Sequence, residues 1–303
     1  MKLLPNKAFV RAASFIATDG RPLEQALFEF HFNNGSVEDV LVELGKFQNP
    51  DGGFGHAVEP DVRMPESSAF ISSVAFQVIS ELDVPADHSM VQSGIAYFER
   101  THNGSIGGWD PTGPIVNDYP RAPWWNYSEV DGRLDELKQS NPGAEIAGYL
   151  QKYRAASNDE FVDAVTGDAL RVIEGLPDDM EVHSMLCFMR LAECSPPRVA
   201  DRLLPKLKRG VHSVLGKSAE EWAKYGGRPL WFAGSTDSLL ADELRDLVQI
   251  QLDYEIDTQM EDGSWSPVWS WGQYEDDWEQ AKTEWAGYLT LRNLMALRAW
   301  GRL

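Results

Sequence analysis

One short pattern, found in both the first and the last quarter of the chain, constrains the fold more than any other feature of the sequence. The copies are Gln48 to Phe54 and Gln259 to Trp265, each with Gln, two residues, Asp-Gly, a small residue and an aromatic one. Each copy closes an amphipathic helical pattern and precedes, after a loop, a helical pattern that is apolar nearly all round. We interpret the pattern as the connector of a repeated helical pair. Its aspartates, Asp51 and Asp262, are expected to form the turn, and its glutamines to tie the connector to a neighbour.

Helical periodicity accounts for most of the remaining chain. It predicts helices over residues 6–18, 22–32, 37–47, 66–82, 88–101, 142–156, 159–175, 180–194, 198–215, 237–259 and 285–300. A half-solvated helix followed by a buried one is what the outer and inner rings of an α/α barrel require. A weaker third connector covers Asn103 to Trp109 and lacks the Gln and the Asp-Gly. With no convincing strand pattern and no linker, the sequence predicts an all-α fold, a single α/α toroid domain over residues 1–303.

Composition narrows the possible partners. The chain has 303 residues, 43% of them hydrophobic, and a net charge of −20, so it is globular, with a surface that repels phosphate backbones and anionic lipid. It has only two cysteines, and neither an apolar leader nor an uncharged apolar run of about 18 residues is found. We therefore expect a soluble cytoplasmic protein with no nucleic-acid partner and no membrane span, of unspecified oligomeric state. Cys187 lies one helical turn after His183, a spacing that could hold a metal, but its apolar surroundings favour core packing.

The connector, placed between outer and inner helices, resembles the repeat of squalene–hopene-type terpene cyclases and of protein prenyltransferase β-subunits. The chain also looks like a bacterial group of prenyltransferase-like proteins, through Asn117 to Pro120 and Ala122 to Trp125. This resemblance implies an α/α toroid with a central cavity and an isoprenoid or other hydrophobic ligand. The likeness is more specific for the fold than for an activity.

The catalytic motifs of these families are absent from the sequence. The pairs Asp178-Asp179 and Asp276-Asp277 complete neither the Asp-x-Asp-Asp box of proton-donating cyclases nor the Asp-Asp-x-x-Asp box that holds Mg²⁺. Met185 and Ala192 stand where a zinc-binding Asp-x-Cys pair needs its aspartate. We therefore expect no metal and no known cofactor.

The candidate site lies on the loops that would deliver the inner helices to the rim of the cavity. The catalytic candidates are Asp61, Asp118 and Glu284. The ligand-binding candidates are His56, Glu59, Tyr119, Trp124, Trp125, Trp269, Trp271, Asp276, Asp277 and Trp285. Glu66 lies on the first of these loops. Carboxylates beside aromatic rings could act as paired acids and bases. The alternative is that they cap helices and close the barrel end.

Three functional classes stay open on the sequence alone. The expectation is an enzyme or binder for an isoprenoid or other hydrophobic ligand, whose aromatic cavity could stabilise a cation. The first alternative is a carbohydrate-active α/α barrel, with tryptophans stacked on sugar faces and two carboxylates for acid–base chemistry. The second is a non-catalytic binding or scaffold protein, which the missing motifs favour.

Overall fold

A computed structural model of the protein describes residues 1–128 and 139–303. These residues form thirteen α-helices and no β-strand beyond isolated bridges, which confirms the all-α class. In chain order the helices are α1 (Asn6–Asp19), α2 (Pro22–Phe32), α3 (Val37–Gly45), α4 (Ala69–Glu81), α5 (Ser89–Thr101), α6 (Gly143–Lys152), α7 (Asp159–Gly175), α8 (Val182–Cys194), α9 (Pro197–Val214), α10 (Ala219–Trp222), α11 (Pro229–Phe232), α12 (Ala241–Thr258) and α13 (Glu275–Ala299). None of the described helices is both long and apolar enough to cross a bilayer.

The chain divides into two compact units. Unit 1 consists of Met1–Leu44 together with Leu215–Leu303, and unit 2 is the continuous stretch Gly45–Val214. The toroidal ring and the single domain over residues 1–303 stay predictions.

Unit 1 is assembled from both ends of the chain. Helix α13 packs against α1 and α2, and α11 packs against α12. Arg302 is 1% exposed, and its Nη1 donates to the Lys2 carbonyl oxygen (2.6 Å) and to Asp253 Oδ1 (2.6 Å). Its Nη2 donates to Gln249 Oε1 (2.7 Å), and its own carbonyl oxygen accepts from Leu4 N (2.8 Å). These bonds fasten the last residues of the chain to its first residues and to α12.

Unit 2 is organised around helix α6, which packs against α4, α7 and α8, while α9 packs against α7 and α8. Every residue from Gly143 to Gln151 is buried. Among them is Glu145, whose carboxylate accepts hydrogen bonds from Gln77 Nε2 (2.9 Å), Tyr149 OH (2.7 Å) and Arg190 Nη1 (2.7 Å). A buried carboxylate is tolerated when it is paired and hydrogen-bonded in this way.

The glutamine of each strong connector makes the same two kinds of hydrogen bond. Gln48 Nε2 donates to the carbonyl oxygen four residues further on (3.0 Å) and to Ser93 Oγ in α5 (2.9 Å). Gln259 Nε2 likewise donates to the carbonyl oxygen four residues further on (2.9 Å) and to the carbonyl oxygen of Ala8 in α1 (3.0 Å). The prediction that the glutamines tie each connector to a neighbour is confirmed.

The rest of the connector repeats as closely. Asp51 and Asp262 each accept a hydrogen bond from the backbone N–H two residues on, at 3.0 and 2.9 Å. The backbone N–H of the connector's aromatic residue donates to a hydroxyl of the following helix, Ser72 Oγ (2.8 Å) in α4 and Thr290 Oγ1 (3.0 Å) in α13. The aspartates are therefore turn formers, as predicted, and both connectors are built alike.

The weaker third connector shares the aromatic anchor. Trp109 Nε1 donates to the carbonyl oxygen of Phe98 in the last turn of α5 (2.8 Å), and Trp265 Nε1 donates to that of Glu255 in α12 (2.9 Å). In both copies the indole ring is buried under the helix that the connector closes.

The sequence-based prediction of where helix α13 begins was wrong. Helix α13 begins at Glu275, well before the predicted start at Trp285, so Asp276, Asp277 and Glu284 lie on a helix and not on a loop. Three acidic residues in the first turn favour helix formation there, because they face the positive end of the helix dipole. The four-residue helices α10 and α11 were not predicted.

Candidate functional site

Two loops of unit 2 are joined by backbone hydrogen bonds; we call residues 55–66 and 110–127 the rim loops. Arg63 N donates to the carbonyl oxygen of Pro120 (3.0 Å), and Ala122 N donates to that of Asp61 (2.9 Å). The structure therefore brings together the first two of the three predicted loops.

The first rim loop begins with a strained backbone. His56 and Ala57 have φ values of 54° and 62°, in the left-handed region that non-glycine residues rarely adopt. His56 is held by its backbone N–H, which donates to the carbonyl oxygen of Met64 (3.0 Å), and by its Nε2, 2.9 Å from Asn49 Oδ1. Such strain costs about 1–3 kcal/mol per residue and clusters at functional sites. The two hydrogen bonds of His56 hold the first rim loop in this strained conformation.

The predicted acidic residues of the rim loops differ in exposure. Glu59 and Asp61 are buried, whereas Asp118 is exposed at the end of a short 3₁₀ helix, Pro114–Asp118. Arg121 fixes the turn that follows, because its Nη1 donates to the carbonyl oxygen of Tyr119 (2.8 Å). Of these three carboxylates, Asp118 is the one open to solvent.

Glu66 and Tyr119 form a direct contact between the rim loops. Tyr119 OH donates to Glu66 Oε1 (2.8 Å), and this hydrogen bond raises the pKa of Tyr119, so the phenol stays neutral. The other carboxylate oxygen, Glu66 Oε2, is buried and has no hydrogen-bond partner among the described residues. Leaving a buried acceptor unpaired costs about 1–3 kcal/mol, more for a charged group.

Trp125 connects the second rim loop to helix α4. Its ring lies on Phe70 at the start of α4, with centroids 4.0 Å apart and planes tilted by 35°. Its indole Nε1 is buried and, like Glu66 Oε2, has no partner among the described residues. The neighbouring Trp124 is 50% exposed. The two rim loops thus carry an unpaired acceptor, Glu66 Oε2, an unpaired donor, Trp125 Nε1, and one exposed aromatic ring, Trp124.

Helix α4, which begins next to Trp125, has a largely apolar side that is only half buried. Most of the helix is buried, as predicted from its apolar sequence. The half-buried residues Phe70, Val74, Gln77 and Val78 recur at helical spacing along one side. From Phe70 to Val78 this side is about 12 Å long, at 1.5 Å per residue.

The aromatic candidates of unit 1 form a separate group. The ring centroid of Trp269 lies 5.5 Å from that of Tyr225 and 5.2 Å from that of Trp285, both nearly edge to face. Trp271 is buried, with its centroid 5.7 Å from that of Trp278. The first three rings are partly exposed and the last two pack the unit.

The acidic candidates of unit 1 lie on helix α13. Glu284 is buried and its Oε1 accepts from Gln280 Nε2 one turn earlier (2.8 Å). Asp276 is exposed and Asp277 half-buried in the first turn. Of the catalytic candidates, Asp61 and Asp118 belong to unit 2 and Glu284 to unit 1.

Within residues 1–128 and 139–303, no three His, Cys, Asp or Glu side chains gather as metal ligands. The Cys187 thiol is buried, with its Sγ 3.4 Å from Glu145 Oε2, and burial raises its pKa.

A surface depression of about 280 Å³ lies away from the predicted loops, between α6, α7 and α9. Its polar groups are paired within the chain: Gln151 Nε2 donates to Thr166 Oγ1 (2.7 Å), and Arg202 pairs with Glu174 (2.6 Å). Because these groups are satisfied, we place the candidate site at the rim loops.

Sequence reasoning missed one element of this site. The helix that the sequence predicts over residues 66–82 is apolar nearly all round, and this pattern did not indicate that Phe70 packs against Trp125 of the second rim loop. Gln77 and Glu81 were a usable signal, because they are the two long polar side chains of a helix whose other polar residues are serines, and they lie on its half-buried side.

No protein-family model matches the chain, and no curated protein or solved structure matches it either. The site is therefore interpreted from its own geometry.

Proposed function

We propose that unit 2 binds a small ligand with an apolar body and a polar head group. The head lies between Glu66 and Trp125, and the body lies along the half-buried side of α4. The observation that carries the proposal is the pair of buried, unpartnered atoms of opposite type, Glu66 Oε2 and Trp125 Nε1. A hydroxyl group can donate to Glu66 Oε2 and accept from Trp125 Nε1, so a single ligand head group can give both atoms a hydrogen-bond partner.

The body of the ligand is assigned from the side of α4. Phe70, Val74 and Val78 offer an apolar strip next to the head-group position. Burying apolar ligand surface there contributes about 25 cal/mol per Å². This supports a hydrophobic ligand with a polar end, of which isoprenoid alcohols are one class, in agreement with the family resemblance of the connectors.

A carbohydrate is the second candidate, on a specific observation. The exposed ring of Trp124 offers a stacking surface on the same rim loop as the exposed Asp118. In that case a sugar face covers Trp124, and Asp118 and Asp61 are the acid–base candidates. Trp124 therefore separates the two proposals.

The test is calorimetric titration of the wild-type protein with dodecanol, farnesol and maltohexaose. We expect the two alcohols to bind, and Glu66→Gln and Trp125→Phe each to weaken them by about tenfold, the equivalent of one lost hydrogen bond of about 1.4 kcal/mol. Glu160→Gln, an exposed glutamate on α7, is the matched control and should change nothing.

Trp124→Phe and the acidic variants decide between the candidates. Alcohol binding should survive Trp124→Phe, Asp118→Asn and Asp61→Asn. Maltohexaose binding that is lost in Trp124→Phe would replace the hydrophobic-ligand proposal with the carbohydrate one. If neither class binds, the site proposal is wrong. Glu284→Gln in unit 1 extends the comparison to the last catalytic candidate.

A further inference from the structure

Three buried glutamates of this protein pair with arginine, and no such pair forms at the half-buried Glu66 among the described residues. Glu24, Glu145 and Glu255 are buried, and each lies within hydrogen-bond distance of an arginine, at 2.6, 2.7 and 3.2 Å. The hydrogen bond that Glu66 receives comes from a neutral phenol, Tyr119 OH. No arginine or lysine of the described chain pairs with Glu66, and its Oε2 is buried. Within the part of the chain that the structure describes, Glu66 therefore lacks the cation that these three glutamates have.

The surroundings of Glu66 suit a cation. Phe70 follows Glu66 by four residues and its ring packs against that of Trp125, and aromatic faces attract positive charge. The net charge of −20 raises the local concentration of cations and lowers that of anions. An ammonium group donates strong hydrogen bonds to a carboxylate, but it cannot accept one from Trp125 Nε1.

We infer that the head group of the ligand is a protonated amine with a neighbouring hydroxyl, that is, a long-chain amino alcohol. The ammonium donates to Glu66 Oε2, and the hydroxyl accepts from Trp125 Nε1. The alkyl chain follows Phe70, Val74 and Val78. This inference rests on the proposed function, because it uses the same site and names the class of its ligand.

The test is titration with four dodecyl probes that differ only in the head: 2-aminododecan-1-ol, dodecylamine, dodecanol and dodecanoate. Both amines should bind at least about tenfold more tightly than dodecanol, since a charge-assisted hydrogen bond is worth more than a neutral one. Dodecanoate should bind most weakly. A higher salt concentration should weaken the binding of the two amines, because it screens their charge, and should leave the binding of dodecanol unchanged.

Two variants assign the contacts. Glu66→Gln should remove the preference for amines and bring them to the affinity of dodecanol. Trp125→Phe should lower the affinity for 2-aminododecan-1-ol to that for dodecylamine, because the substitution removes the indole N–H donor and keeps an aromatic ring. Glu160→Gln is the charge-matched control and should keep every affinity at the wild-type value.

The outcomes separate this inference from the proposed function. If dodecanol binds as tightly as the amines, or if Glu66→Gln weakens all probes equally, the amine assignment fails and the hydrophobic-ligand proposal stands. If none of the four probes binds, both fail.

Discussion

His102 ends helix α5 with its imidazole ring between two aromatic rings. Its centroid lies 4.8 Å from that of Trp109 and 5.2 Å from that of Phe161, both nearly edge to face. Its Nε2 is buried without a partner among the described residues. Burial lowers the pKa of His102 below the usual 6.5, because the charged ring would lose water without gaining a partner.

This environment predicts a loss of stability in mild acid. Where the folded-state pKa lies below the unfolded one, the unfolded chain binds more protons, so stability falls as the pH drops below about 6.5. His102→Phe keeps the ring contacts and cannot be protonated. In urea unfolding between pH 7.5 and 5.5, the wild type should lose more stability than His102→Phe. Parallel losses in the two proteins would contradict the assignment.

At the residue scale, the sequence specifies the kind of side chain better than its partners. The loop position of Glu66 among other acidic residues followed from the sequence. Its unpaired oxygen did not, because that depends on which side chains the second rim loop brings close. The half-buried position of Phe70 did not follow from the sequence either, because hydrophobicity predicts burial, whereas the side of α4 that stays open is set by tertiary packing.

At the element scale, the connectors determine how helices follow one another. Gly52 and Gly263 have φ values of +88° and +95°, and both lie directly against the backbone of a neighbouring helix. A Cβ on Gly52 would lie 2.3 Å from the carbonyl oxygen of Ser93. The glycine of the pattern is therefore required twice, for its backbone conformation and for its lack of a side chain.

Gly52→Ala should destabilise unit 2 by about 2–4 kcal/mol, from the unfavourable φ together with the collision against α5. Gly104→Ala is the control, because a Cβ there meets nothing within 4 Å and its φ is not in the strained range. It should change stability by less than about 1 kcal/mol. Urea unfolding followed by circular dichroism gives both values; equal effects would show that the close approach is not required.

Long periodic elements were the most predictable part of the fold. The long helices were found within a few residues, because their apolar positions repeat with the helical period over several turns. The start of α13 was missed because residues 275–284 are mostly polar, so the acidic first turn was interpreted as a loop. Helices α10 and α11 have four residues each, too few for periodicity to detect.

At the scale of the whole molecule, unit 1 depends on contacts between residues far apart in sequence. Arg302 exemplifies them, since its buried guanidinium joins Lys2, Gln249 and Asp253. Such contacts could not be predicted from the sequence, because helical periodicity reports local structure and carries no information on which distant segments pair.

Arg302→Ala should therefore destabilise unit 1 by about 2–4 kcal/mol, because it leaves the carbonyl and carboxylate groups around it without their donor. Arg245→Ala is the matched control, since that side chain is 53% exposed and pairs with exposed Asp242. Its loss should cost less than about 1 kcal/mol. Thermal and urea unfolding check both; a wild-type midpoint for Arg302→Ala would refute the structural role.

The division of unit 1 between the two ends of the chain has a consequence for biosynthesis. Residues 1–44 are synthesised before unit 2, yet the helix that covers α1 and α2 is α13, which is synthesised after unit 2. Unit 2 has all its residues in one stretch and is complete before α10 is translated. In the nascent chain the sides of α1 and α2 that α13 covers therefore stay without that cover until α13 has been synthesised, and unit 1 can form only then.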